Sequence, residues 1–349
     1  EDDQLKALLG FRTAAVVSRP WSFRLPQDTP AHRECEAFFR FVLDQQLRGT
    51  FGQALADLLT SQVHGFSVVE KVVEAVPWQG RERWGLGALK LRPAASFTCV
   101  MDPHGNLTEL VQQQGARRVS LPPERFIRHV NRRDVHPHYG ESELKACYPA
   151  WFSKGATLRF WNIYLERMAS GFVHAKLSGT LSAAEQSTLR RAMENLHAKT
   201  SVVTPDTVDV RLVTAPHTDA FERAVAARDK AMARALLVPN LLGFSEQGPS
   251  GSYAQSRTQL EAFFYVINAL AESLADTLNE QLFRDLALWN FGLTDPPRFR
   301  FDPLSEDQKH SIADAWRNAV QAGTVRPTDA DERRTRELLG YPAMVDAAA

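Results

Sequence analysis

One long amphipathic run near the C-terminal end restricts this chain more than any other feature. From about 256 to 291, Leu260, Phe263, Phe264, Ile267, Leu270, Leu274, Leu278, Leu282 and Leu286 hold a single stripe at helical spacing. At ~1.5 Å per residue such a helix spans roughly 50 Å. Glu261, Glu272, Asp276, Glu280, Arg284 and Asp285 interrupt it and rule out a membrane span. Gly292 supplies the C-terminal stop.

The remaining elements fall into blocks. The spacing predicts a helix from Leu5 to Val16 behind the acidic start Glu1-Asp2-Asp3, and a short strand at 21–25 between Pro20 and Pro26. Helices follow at about 30–47 and 51–63, the second closed by Gly65. Then come short strands: 66–76 ending at Pro77, 86–92, 97–101, 107–112, 117–121 and 126–130. The turn Asp102-Pro103-His104-Gly105-Asn106 makes a hairpin of the third and fourth. A helix over about 141–169, kinked at Pro149, is crowded with Tyr148, Trp151, Phe152, Phe160, Trp161 and Tyr164. So many aromatics belong in a core or a subunit interface. After a strand at 172–177, Thr180 or Ser182 caps a polar helix at 183–199. Short strands at 202–203 and 208–213 flank Pro205-Asp206. A helix from Asp219 to about 237 carries Arg223, Arg228, Lys230 and Arg234, and Pro239 stops it. A Gly/Ser loop at 240–256 leads into the long helix; a strand at 298–302 and helices at 305–322 and 328–339 follow. Strands grouped after helices predict an α+β fold.

At 349 residues, 44% apolar and 23% charged, the chain is expected to be soluble, with about two domains. The 41 basic and 41 acidic residues balance, against a protein that grips nucleic acid with its whole surface. Cys35, Cys99 and Cys147 are too few and too scattered for a disulfide framework or a Cys-rich zinc site, and fit a reducing cytosol. The chain begins at Glu1, so an upstream segment is expected to have been trimmed, and no signal peptide is visible.

Chemical motifs are scarce. There is no phosphate loop, no Gly-x-Ser-x-Gly elbow and no His-Glu-x-x-His. Cys147, on the aromatic helix, reads as a buried structural thiol. His129, Asp134, His136 and His138 read either as a polar loop or as the site of a soluble, metal-dependent enzyme. The run Arg117, Arg118, Arg125, Arg128, Arg132 and Arg133 reads either as a solvated face or subunit contact, or as the grip of a DNA-binding accessory protein. No cofactor and no metal are expected.

The order of elements is more specific than any motif. Leu5 to Trp21 holds a helix with Arg12, then Pro20-Trp21. The middle holds His129-Val130-Asn131, Tyr139-Gly140-Glu141-Ser142-Glu143-Leu144, Trp151, Lys154 and Leu165-Glu166-Arg167. Late in the chain, Ala233-Arg234-Ala235-Leu236-Leu237 runs to Gly251-Ser252 and the long helix. This order resembles the portal proteins of tailed bacteriophages, especially their compact branch, over most of the chain. Ser170-Gly171-Phe172-Val173 departs from the Gly-x-Pro that relatives place there.

The resemblance implies a non-enzymatic ring, usually of twelve subunits, at one capsid vertex of a virion. Double-stranded DNA would pass through it in packaging and ejection. Its partners would be further copies of itself, DNA, the terminase motor, the capsid protein and a head–tail adaptor, with no membrane. It implies a wing at 1–178, a first stem helix at 179–200, a clip at 201–216 and a second stem helix at 217–239. A tunnel loop at 240–257, a spine helix and wing strand at 258–303 and a crown at 304–349 complete it. DNA would be met by Ser245, Gln247, Ser250, Ser252, Tyr253, Gln255 and Arg257 in the tunnel loop. Arg223, Arg228, Lys230 and Arg234 are candidates for the stem channel, and Val203, Asp206, Thr207, Asp209 and Arg211 for the motor and adaptor contact. A bore must hold DNA without gripping it, because each neutralised phosphate adds salt-dependent affinity. The stem cations are therefore expected to be partly paired with Glu222 and Asp229, or turned toward neighbouring subunits.

Overall fold

The computed structural model describes residues 2–168, 172–180, 182–194, 208–213, 219–238 and 253–302. The expected strand at 202–203, the loop at 240–252 and the helices at 305–322 and 328–339 lie outside these residues.

In chain order the elements are α1 (Asp3–Val17), β1 (Trp21–Arg24), α2 (Pro30–Phe41), α3 (Phe51–Leu59), α4 (Ser61–His64), β2 (Phe66–Trp78) and β3 (Arg81–Arg92). Next come β4 (Phe97–Met101), β5 (Leu107–Gln114), β6 (Arg117–Leu121), β7 (Phe126–Val130), α5 (Leu144–Met168), β8 (Phe172–Leu177) and α6 (Ala183–Glu194). The last are β9 (Val208–Val213), α7 (Ala220–Ala235), α8 (Tyr253–Leu278), α9 (Arg284–Phe291) and β10 (Arg298–Phe301). The chain is α+β, as its grouping predicts. It divides into two compact units: residues 6–145 with 237–239 and 248–349, and residues 1–5 with 146–236 and 240–247.

The larger unit holds a sheet ordered β3-β2-β7, a second ordered β4-β5-β6 and the antiparallel pair β1–β10. Local chemistry explains the element ends. The Thr29 hydroxyl accepts from the His32 amide at the start of α2, where Pro30 occupies the first turn. Thr50 caps α3 through the Gln53 amide. The Asp102 carboxylate accepts from the amides of His104 and Asn106 at 2.9 and 2.8 Å, closing the β4–β5 hairpin.

Two boundaries differ from expectation. The strand at 66–76 runs on through Pro77 to Trp78, and β3 begins at Arg81. Gln79 and Gly80, at φ 47° and 74°, form the two-residue turn between them. Pro77 is tolerated because β7 pairs with only Phe66 to Glu70, which leaves that edge of β2 open further on. The long helix starts at Tyr253 rather than 256, so Tyr253, Gln255 and Arg257 lie in helical backbone, not in the loop. No helix breaker follows Gly251 until Gly292, which adopts the left-handed φ of 63°.

The helical run is not uniform. A π turn at Asn279–Phe283 joins α8 to α9. Beside it, three amide side chains bond to strand backbones. Asn279 donates to the Phe299 carbonyl at 2.9 Å and accepts from its amide at 2.8 Å. Gln281 does the same at Arg128 of β7, and Asn290 at Trp84 of β3. Backbone groups that would otherwise lack partners are satisfied by the helix. The same segment carries Phe283 into a ring cluster with Phe23, Phe39 and Phe299. Asp285 accepts from the buried Lys71 ammonium at 2.6 Å.

Candidate functional site

The sequence stretch His129 to Leu144 forms a junction in the larger unit. The Asn131 amide donates to the Gly65 carbonyl at 2.7 Å, and the Glu141 amide to the Asn131 carbonyl at 2.9 Å. The Asn131 side chain donates to Glu141 O at 2.8 Å, and Ser142 Oγ to Val63 O at 2.6 Å. Ser142 Oγ also accepts from the Leu144 amide at 3.2 Å, which caps α5. Arg12, buried on α1, lies 3.7 Å from Glu143. The motif thus locks the point from which α5 starts.

In the smaller unit, α5 packs against α7. Cys147 Sγ lies 3.9 Å from Met232 O, Arg228 Nε donates to Ser153 Oγ at 3.0 Å, and Lys154 Nζ lies 2.7 Å from Asp229. The rings of Trp161 and Phe221 stack at 6.3 Å, with Tyr164 also on Phe221. Partner numbers fall along α7 as they rise along α5, so the two helices form an antiparallel hairpin. Cys147, Lys154 and Trp161, seven residues apart, share the packed face. Between the two helices the chain makes β8, α6 and β9. Strands β8 and β9 pair antiparallel from Phe172↔Val213 to Leu177↔Val208. Ser182 and Glu185 form a reciprocal capping box at the start of α6.

Lys154 is the electrostatic centre of this unit. Its side chain is 7% exposed and also meets Asp2 at 3.1 Å and Asp3 at 3.2 Å. Burial alone would lower its pKa, but the hydrogen bonds that it donates to Asp229, Asp2 and Asp3 outweigh that and raise it. Lys154 in turn holds the Asp3 carboxyl below its ordinary value. The ammonium therefore stays charged and ties the start of the chain to both helices. Residues 2–3 and 229 are too far from 154 in sequence for spacing to reveal this cluster.

The predicted site residues fare unevenly. Arg223 pairs with Asp219, Nε to Oδ2 at 2.7 Å, not with Glu222 or Asp229. The reason is helical geometry: residues four apart are neighbours on the surface, whereas adjacent ones diverge. Asp229 is taken by Lys154, and Arg228 bonds to Ser153. Lys230 and Arg234 make no ion pair with a described residue. Asp209 and Arg211, two apart on β9, pair at 2.8 Å on an exposed face. Ser245, Gln247, Ser250, Ser252, Val203, Asp206 and Thr207 lie outside the described residues.

The histidine cluster does not assemble. His129 is buried and paired with Thr277, His138 Nε2 meets the Gly105 carbonyl at 2.8 Å, and Asp134 lies 3.6 Å from Arg132. Among the described residues no group of three metal-ligating side chains comes together. The basic run is likewise divided: Arg125 faces Glu70, Arg128 donates to His138 O, and Arg133 faces Glu280. Cys35, Cys99 and Cys147 are buried, and none of the three is in a disulfide. No helix among the described residues is long and apolar enough to cross a membrane.

His129 gives a pH-dependent stability. The Thr277 hydroxyl donates to Ser273 O at 3.0 Å, so His129 Nδ1 must donate to Thr277 Oγ1 at 2.9 Å. Nε2 is left unprotonated, with no hydrogen-bond partner among the described residues. Burial pulls the imidazole down to about 4, below its ordinary 6.5. The unfolded chain therefore binds the proton first. Stability is expected to fall by about 3 kcal/mol between pH 6.5 and 4, and to lose no more through this group below that. Denaturant unfolding across this range should show the decline, and His129→Phe should flatten it.

The sequence matches the family described as the portal protein of Mu bacteriophage over residues 1–340. No curated protein matches it. Among solved structures, a chain in the neck of an empty gene transfer agent (GTA) particle computed with C6 symmetry superposes with a TM-score of 0.65. Its identity is 15%, over 98% of this chain and 91% of that one. A chain in the neck of the native particle computed with C12 symmetry gives the same values. One in the virion of the native particle gives 0.64 at 16% identity, with the same coverage. At such identities these likenesses establish the fold.

Proposed function

The chain belongs to the portal protein family of Mu bacteriophage, and from that premise we propose that its copies form a ring at one capsid vertex, a non-catalytic conduit for double-stranded DNA in packaging and ejection. The observation that carries this reading is the family match, which runs through 340 of the 349 residues. The likeness of fold to neck chains in particles computed with C6 and with C12 symmetry fits a ring of identical copies. We assign the stem to the antiparallel pair α5 and α7, in place of 179–200 and 217–239, because it is α5 that packs on α7. The clip is then β8, α6 and β9 with the residues between, a larger element than 201–216. Asp209 and Arg211 stay in the clip, where an exposed, paired charge face suits reversible docking of the terminase motor and then the head–tail adaptor. Residues 240–252 remain the tunnel loop, with Ser245, Gln247, Ser250 and Ser252 toward DNA. A chain of balanced charge conducts a polyanion without trapping it.

Electron microscopy of the purified protein should show rings with a central opening wide enough for a duplex. Solitary particles of 39.1 kDa would overturn the reading. Deleting 244–252 is expected to leave the ring intact while DNA packaging in a complementation assay is lost. Collapse of the ring would contradict the placement of that loop.

A further inference from the structure

Helix α5 has apolar side chains on more of its circumference than α7 covers. Beyond the packed face, Tyr148, Trp151, Phe152, Phe160 and Ile163 are exposed, Phe152 and Phe160 by 64 and 65%. At about 150–250 Å² per aromatic side chain, the exposed parts of the four rings amount to on the order of 450 Å². Ile163 brings this closer to the roughly 800 Å² that each partner gives to a stable interface. A helix apolar nearly all round is a helix buried on both sides.

The opposite flank of the hairpin has the complementary chemistry. On α7, Arg223, Lys230 and Arg234 recur with Ala220 and Ala227 on the face turned away from Phe221, Val225 and Met232. Small residues let a second helix approach, and cations are attracted to aromatic ring faces. Lys230 and Arg234, with no described carboxylate partner, are available for such contact. The two flanks differ, so neither matches itself.

We propose that the exposed aromatic face of α5 is covered by the Arg/Lys/Ala face of α7 from a second copy of this chain. Such a contact is head to tail, the kind that builds a ring when the rotation between neighbours closes. The cations of α7 then serve the seam between subunits, not the DNA channel. This inference rests on the ring reading above and assigns the surfaces that build the ring.

Two double variants test it, each with its fold checked by circular dichroism and thermal melting. F152E/F160E spoils the aromatic face, and K230E/R234E spoils the basic face. Because these positions lie on the solvent side of the hairpin, each variant should keep the wild-type circular dichroism spectrum and melt cooperatively, at a midpoint lower than that of the ring because the contact between subunits is lost. In size-exclusion chromatography with light scattering, each variant alone should lose the ring and run near the single-chain mass. Mixed, they retain one good pair of faces and should form a dimer of about twice that mass. A wild type that assembles while either variant assembles equally well overturns the inference and spares the ring reading. A mixture that stays monomeric has the same consequence. A wild type that never self-associates overturns both.

Discussion

Gly140→Ala is expected to destabilise the protein by roughly 4 kcal/mol, seen as a large drop in the denaturant midpoint. Gly140 sits at φ +60°, where an L side chain is strained. A Cβ there would also overlap the backbone carbonyl oxygens of Asn131 and Gly65, and approach Val130 Cγ1 to 3.0 Å. Neither carbonyl can retreat cheaply. Gly65 O holds the Asn131 amide and Asn131 O holds the Glu141 amide, so relief breaks the junction that starts α5. Gly105→Ala is the control. It has a φ of +83° but open space around the added carbon, so about 1 kcal/mol is expected. Equal losses for the two substitutions would refute the packing argument.

A second large effect is expected at the ion pair between β2 and α9, and it should be asymmetric. The Lys71 side chain is 1% exposed, while that of Asp285 is 27% exposed. Asp285→Ala strands a buried ammonium with one remaining acceptor, the Gln281 carbonyl at 2.6 Å. A cost of about 3–5 kcal/mol is expected, the range for breaking a buried pair. Lys71→Met keeps the aliphatic stem and leaves a carboxylate that water can reach, so a loss of about 1–2 kcal/mol is expected. Urea unfolding of both variants decides the matter. If Lys71→Met proves the more damaging, the lysine contributes through contacts other than this pair.

The secondary structure was legible wherever local chemistry is decisive. Gly65 and Gly292 end helices, Asp102 to Asn106 turns a hairpin, and Ser182 starts α6. The two boundary errors have one kind of cause. Pro77 ends a strand only if its missing amide is needed, and that depends on how far β7 extends. Tyr253 starts a helix because no breaker follows Gly251, although the Gly/Ser composition upstream reads as loop. Sequence adjacency sets Glu222 beside Arg223, where the helix makes Asp219 the neighbour. Chain order alone sets α6 beside α7, whereas α5 is the helix that packs on it.

By itself the sequence determined the α+β class, the long helix with its leucine stripe, the aromatic excess of α5, the buried cysteine and the family. These depend on patterns within a few turns of chain, or on the order of elements. Only the tertiary structure decided that α5 pairs with α7, that Lys154 gathers Asp2, Asp3 and Asp229, and that β1 lies against β10. It alone separated His129 from a metal site and gave Asn279, Gln281 and Asn290 their strands. The physical reason is loop closure. Contacts between residues from 20 to 280 positions apart leave no periodicity to read, and their choice is made by the packing of the whole chain.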